Sequence, residues 1–134
     1  MSDTGAVIPV LRFRAGSMDL GIAAEDVASV VASDHDVPHI ATVLGLASPE
    51  PPVEQRIIQI AARGDIEPFA FAADAPVRVV LCRSDDVLPV TSRELMETWR
   101  PVMGFASIDG RTVALLDIPS IAERLLEQRG GGYP

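Results

Sequence analysis

Two histidines and two carboxylates fall within six residues, Asp34-His35-Asp36 and His39, and they are the only cluster in the chain with metal-ligand chemistry. Imidazole nitrogens and carboxylate oxygens are zinc or nickel ligands, and His-x-x-x-His on a helix would put both rings on one face. Pro38 stands between the two rings, so that helix is not expected and the segment reads as a solvated loop. A small metal-binding protein using His35 and His39 is kept as the alternative. No other histidine exists to serve as a general base near neutral pH. The lone Cys82 sits in the apolar run Val79-Val80-Leu81-Cys82 and reads as a buried strand residue rather than a reactive thiol.

The remaining polar signals are weaker still. Glu25-Asp26 and Asp85-Asp86 read as solvated turn acids. Arg63-Gly64-Asp65 matches an adhesion tripeptide by letters, but its surroundings make it a hairpin turn. Asp117 follows Leu115-Leu116, where an acid at a strand end either performs catalysis or caps the next helix; capping is the expected role. No Gly-rich phosphate loop, nucleophile elbow or paired-cysteine metal motif is present. The reading is a non-enzyme with no cofactor and no metal. Trp99, the sole Trp, stands beside Arg100 and Pro101 and is either an interface anchor or a core plug.

The elements that would carry these residues are mostly short strands. Val7–Arg14 and Met18–Ile22 flank Ala15-Gly16-Ser17 and read as a hairpin, with Phe13 inward and Arg12 and Arg14 outward. Val27, Val30 and Val31 fit either a helical turn passing into a strand or a bulged strand. Ile40–Leu46 reads as a strand or a single helical turn, and Pro49, Pro51 and Pro52 mark an extended connector. Gln55–Ala62 and Ile66–Ala72 form a second hairpin, with Phe69 and Phe71 on one face. Ala75-Pro76 is expected to end that strand, and Val77–Cys82 to begin another. Thr91 or Ser92 caps a short helix running to Trp99. Gly104–Ile118 is a third hairpin turning at Asp109-Gly110. Ser120 is expected to cap a last helix burying Ile121, Leu125 and Leu126, which the glycines from Gly130 stop.

A chain of 134 residues with 48% apolar and 22% charged side chains is one globular domain or two small lobes. At this size roughly 68% of the unfolded surface can be buried, so no metal or disulfide is needed for folding. The net charge is −8, with arginine as the only strong base and no lysine. That balance disfavours nucleic acid and anionic membrane as partners. No apolar run approaches a membrane span, and no basic-then-apolar signal region opens the chain. A cytoplasmic domain is expected, with residues 1–6 as a frayed leader, 7–128 as a single two-lobed domain and 129–134 as a flexible tail.

Leu11-Arg12-Phe13-Arg14-Ala15-Gly16-Ser17-Met18-Asp19-Leu20-Gly21-Ile22, followed by Val27-Ala28-Ser29-Val30-Val31, resembles the opening of CheW-like chemotaxis coupling domains. Val37-Pro38-His39 and Val43-Leu44-Gly45 resemble that family's proline step and following glycine. Arg56–Pro89 is similar to its central hairpin, and Gly104–Ile118 to its closing one. The family's Asn-Leu-Arg-Gly step and the strand after it are missing; Ser48-Pro49-Glu50-Pro51-Pro52 fills the gap. The resemblance implies a mainly β fold of two small β-barrel lobes around a shared core, with short helices and an incomplete first lobe. It implies an adaptor that couples a CheA-type histidine kinase to chemoreceptor-like proteins. The missing step carries the family's receptor-coupling arginine, so receptor binding does not carry over with it. A module regulating a non-chemotaxis cytoplasmic complex is the second reading. An open edge on the first lobe would also allow self-association. The interface expected on these grounds comprises Val37, Pro38, Ile40, Val43, Leu44, Leu46 and Trp99, with the central strands.

Overall fold

The computed structural model describes residues 6–32, 37–45, 54–89 and 101–130. Its strands are β1 (Val7–Ala15), β2 (Met18–Ala23), β3 (Val27–Ala32), β4 (Gln55–Ile60), β5 (Phe69–Arg83), β6 (Val87–Pro89), β7 (Val102–Ile108) and β8 (Arg111–Leu116). Two α-helices accompany them among the described residues, α1 (Ile40–Val43) and α2 (Ile118–Gly130). The mainly β expectation holds. The strands join in one sheet of order β3-β4-β5-β1-β2-β8-β7-β6.

The local turns follow from residue type. Gly16 takes φ +64° at the first central position of the β1–β2 loop, a conformation costly for any residue with a Cβ. Asp109 and Gly110 both take positive φ, 52° and 75°, as the tight turn between β7 and β8 requires. The uncertain stretch after β2 is a one-turn 3-10 helix, Ala24–Asp26, running into β3, whose register against β4 shifts between Val27 and Ser29. Both alternatives left open by the sequence are therefore present.

Three expectations need correction. Pro76 does not end a strand: β5 runs 15 residues straight through it, with the Ala75–Pro76 bond cis. β5 pairs with β4 up to Asp74 and with β1 from Arg78 on, and Asp74 itself pairs with both, so the strand passes from one neighbour to the other around the proline. The sheet does not close into barrels. It ends at β3 and β6, and among the described residues no ladder joins them. Nor is there one shared core, because alternation along β1 and β8 feeds two.

Leu11, Phe13, Ala114 and Leu116 enter the larger core, whereas Val10, Val113 and Leu115 enter a smaller one on the opposite face. The larger core receives Phe71 from β5 and is roofed by Ile40, Val43, Ile118 and Ile121 of the helices. Phe13 and Phe71 meet there as a tilted pair, with ring centroids 5.6 Å apart. Each such fully buried side chain contributes about 1.5–3 kcal/mol. Gly21 of β2 faces the smaller core, where a Cβ would stand 2.7 Å from Val10 Cγ1. That core also holds Cys82. Burial pushes its thiol pKa up, and the negative charge of Asp86 adds to the effect, so the protonated thiol is favoured.

Asp117, not Ser120, caps α2: its Oδ2 accepts from the Ser120 backbone N–H at 3.2 Å and from Ser120 Oγ at 2.6 Å. Ile121 is buried and Leu125 packs on the core, but Leu126 lies exposed. The expected helix from Thr91 or Ser92 to Trp99 lies outside the described residues.

Candidate protein-interaction surfaces

The segment from Val37 to Gly45 is bound to the sheet by backbone and side chain together. The Ala72 N–H donates to the Pro38 carbonyl at 2.9 Å, and His39 bridges to Ala72. His39 Nδ1 accepts from the Ala41 N–H at 3.0 Å, capping α1. That acceptance places the ring proton on Nε2, which donates to Asp74 Oδ1 at 2.8 Å. The other oxygen of Asp74 accepts from the Gly16 N–H at 2.8 Å. Asp74 is only 3% exposed, so a carboxylate buried beneath α1 also fastens the β1–β2 turn. Both nitrogens of His39 are committed to the fold. His35, Asp34 and Asp36 lie outside the described residues.

This anchoring redistributes the residues expected to form an interface. Ile40 and Val43 are 0% exposed and Leu44 is 8% exposed; they roof the larger core and offer no surface. An apolar run in a loop of this length carries no periodicity to separate a docking patch from a core plug, and the helical turn swings it inward. Leu46 and Trp99 lie outside the described residues. Val37 and Pro38 remain half-buried and line a groove of about 500 Å³ between α2 and the loop before β5. Ile66, Phe69, Leu125 and Leu126 supply its apolar walls, and Asp65, Glu67 and Glu123 make it acidic.

The larger apolar exposure is on the sheet. Cross-strand pairing sets Pro9 opposite Leu81, with Val7 and Val79 on the same face, and all four are exposed, Leu81 to 69%. A second exposed group, Leu88, Met103 and Phe105, lies on β6 and β7. Large contiguous exposed apolar patches are found at interaction sites more often than single exposed apolar residues are. The central strands thus expose apolar side chains where α1 buries them. The turn acids divide in the same way. Asp85 and Asp86 are exposed, but Asp26 is buried and accepts from Arg63 Nη1 at 2.6 Å, pinning the Arg63-Gly64-Asp65 turn.

The crystal structure of the scaffolding protein TtCheW from Thermoanaerobacter tengcongensis superposes on this chain with a TM-score of 0.65. The match covers 84% of this chain and 90% of that one, at 17% sequence identity. The fold is CheW-like. No protein-family model and no curated protein sequence matches the chain. The CheW-like arrangement is thus recorded in the backbone far more strongly than in residue identity. No helix among the described residues is long and apolar enough to cross a membrane.

Proposed function

We propose that this chain is a non-enzymatic cytoplasmic adaptor that couples a CheA-type histidine kinase to a receptor-like partner through protein–protein contacts. Residues 7–128 act in it as a single CheW-like domain. The observation that carries the reading is the exposed apolar face of Val7, Pro9, Val79 and Leu81, on a fold shared with a scaffolding protein. Docking there would shift the kinase between existing conformations, and the adaptor would supply differential contacts without chemistry of its own. The test is calorimetric titration of the purified chain with the CheA-type kinase of the same organism. Leu81→Asp is expected to weaken binding by at least about tenfold, since central apolar anchors dominate interfaces. Its unfolding free energy should stay within about 0.5 kcal/mol of the parent's, as for other surface changes. Absence of binding by the parent chain would reject the kinase as partner.

One observation favours a second reading, regulation of a non-chemotaxis complex. The sequence between Gly45 and β4 carries Ser48-Pro49-Glu50-Pro51-Pro52 in place of the Asn-Leu-Arg-Gly step. Capture of a defined non-chemotaxis complex from the native cytoplasm, with loss of capture by Leu81→Asp, would select it.

A further inference from the structure

On the face of β1 that carries Val10 into the smaller core, the next two residues are Arg12 and Arg14. Arg78 of β5 stands directly opposite Arg12 in the ladder, an unfavourable like-charge pair unless something offsets it. Arg111 of β8 approaches from the other side. The four arginines, with Asp19 and Pro76, line a small pocket of about 90 Å³.

Among the described residues the anions available to them are few. Asp19, with a side chain 10% exposed, is shared by three arginines: Arg12 at 3.4 Å, Arg14 at 3.7 Å and Arg111 at 3.7 Å. Asp109, well exposed, reaches Arg12 at 3.8 Å. These separations exceed the ~2.7–2.9 Å of a charge-assisted hydrogen bond. Arg78 makes no ion pair among the described residues. The Nε of Arg14 is buried and donates no hydrogen bond. A buried donor without an acceptor is costly, and so is a cluster of four cations around two anions. The cluster is also a local cationic excess on a chain of net charge −8.

We propose that Arg12, Arg14, Arg78 and Arg111 form an oxyanion-binding site, whose ligand is a carboxylate or phosphoryl group. The pocket holds one such group and no more. Guanidinium forks match its geometry, and the ligand would supply the acceptor that Arg14 Nε lacks. Arg12, only 7% exposed, and Asp19 form the fixed floor, while the exposed Arg78 and Arg111 form the rim. The site does not depend on the adaptor reading. The oxyanion can arrive as a free ion or on an acidic protein segment.

The test titrates the full chain at low ionic strength with inorganic phosphate and, separately, with a hexaglutamate peptide, following the arginine Nε–Hε signals by NMR. Saturable shifts at Arg14, Arg78 and Arg111 are expected. The exposed pair Arg78→Gln with Arg111→Gln should weaken binding by about tenfold or more, the scale of lost charged hydrogen bonds. Asp109→Asn removes a competing anion and should tighten binding by about twofold. A purely structural cluster would show neither change. Hexaglutamate binding tighter than phosphate by tenfold or more assigns the site to an acidic segment; equal or weaker binding assigns it to the free ion. Either result supports the site. No saturable shift at these arginines with either probe, or affinities unmoved by the variants, overturns it.

Discussion

Two carboxylates carried by strands of this sheet stand in opposite circumstances. Asp74 accepts two 2.8 Å hydrogen bonds, one from a backbone N–H and one from a histidine ring, and both oxygens are satisfied. Asp19 faces three guanidiniums at 3.4–3.7 Å and satisfies none of them well. The first arrangement is a fastener: it locks α1, β5 and the first turn into one geometry. The second is an unfinished network, in which positive charge accumulates at a pocket open to solvent. Burial of an acid alone therefore says little; the number and length of its partner bonds separate a structural role from a ligand-seeking one.

The harshest way to break the comparison is to add a buried carboxylate that has no donors at all. Val43→Asp does so at a fully buried position and is expected to cost several kcal/mol, enough to abolish the cooperative thermal transition followed by circular dichroism. Asp74→Ala should be next. It orphans the Gly16 N–H and the His39 Nε2–H, for a loss of about 2–5 kcal/mol in urea denaturation. The opposite sign is expected at the arginine cluster. Arg78→Gln relieves the repulsion with Arg12 and should stabilise the ligand-free chain by about 0.2–1 kcal/mol. Added phosphate should raise the thermal midpoint of the parent more than that of this variant and erase the difference. Destabilisation by Arg78→Gln in plain buffer would make both acids structural.

What could be read from the sequence was local. Asp109-Gly110, Gly16 and Gly64 mark turns whose conformations are dictated within four residues, so the three hairpins were legible. Asp117 as a cap was legible too, although Ser120 competed for the role. The burial of Arg12 was not, because alternation with Phe13 shows that the two side chains point to opposite faces without showing that both faces are covered. Coverage comes from β8, about a hundred residues away, which lies in parallel against β2. The same non-local pairing hid the pocket, whose four arginines come from three strands. For α1, the apolar residues were visible but their destination was set by the cap that His39 and Asp74 build across 35 residues. Pro76 misled for a related reason: a proline ends a strand only where its missing N–H was needed.

The sheet order also has a consequence for synthesis on the ribosome. β1 and β2 are the first strands made, yet they lie at the middle of the sheet, between β5 and β8. At a translation rate of about 5–20 residues per second, β8 follows β2 by roughly 5–20 seconds. Until β5 is made the nascent hairpin carries two unpaired edges, and its β2 edge stays open until β8 follows, with Phe13, Leu20 and Ile22 on its apolar face. The β2–β8 seam at the centre of the sheet is therefore closed only once the last strand is made, so one edge of the first hairpin stays open through most of synthesis.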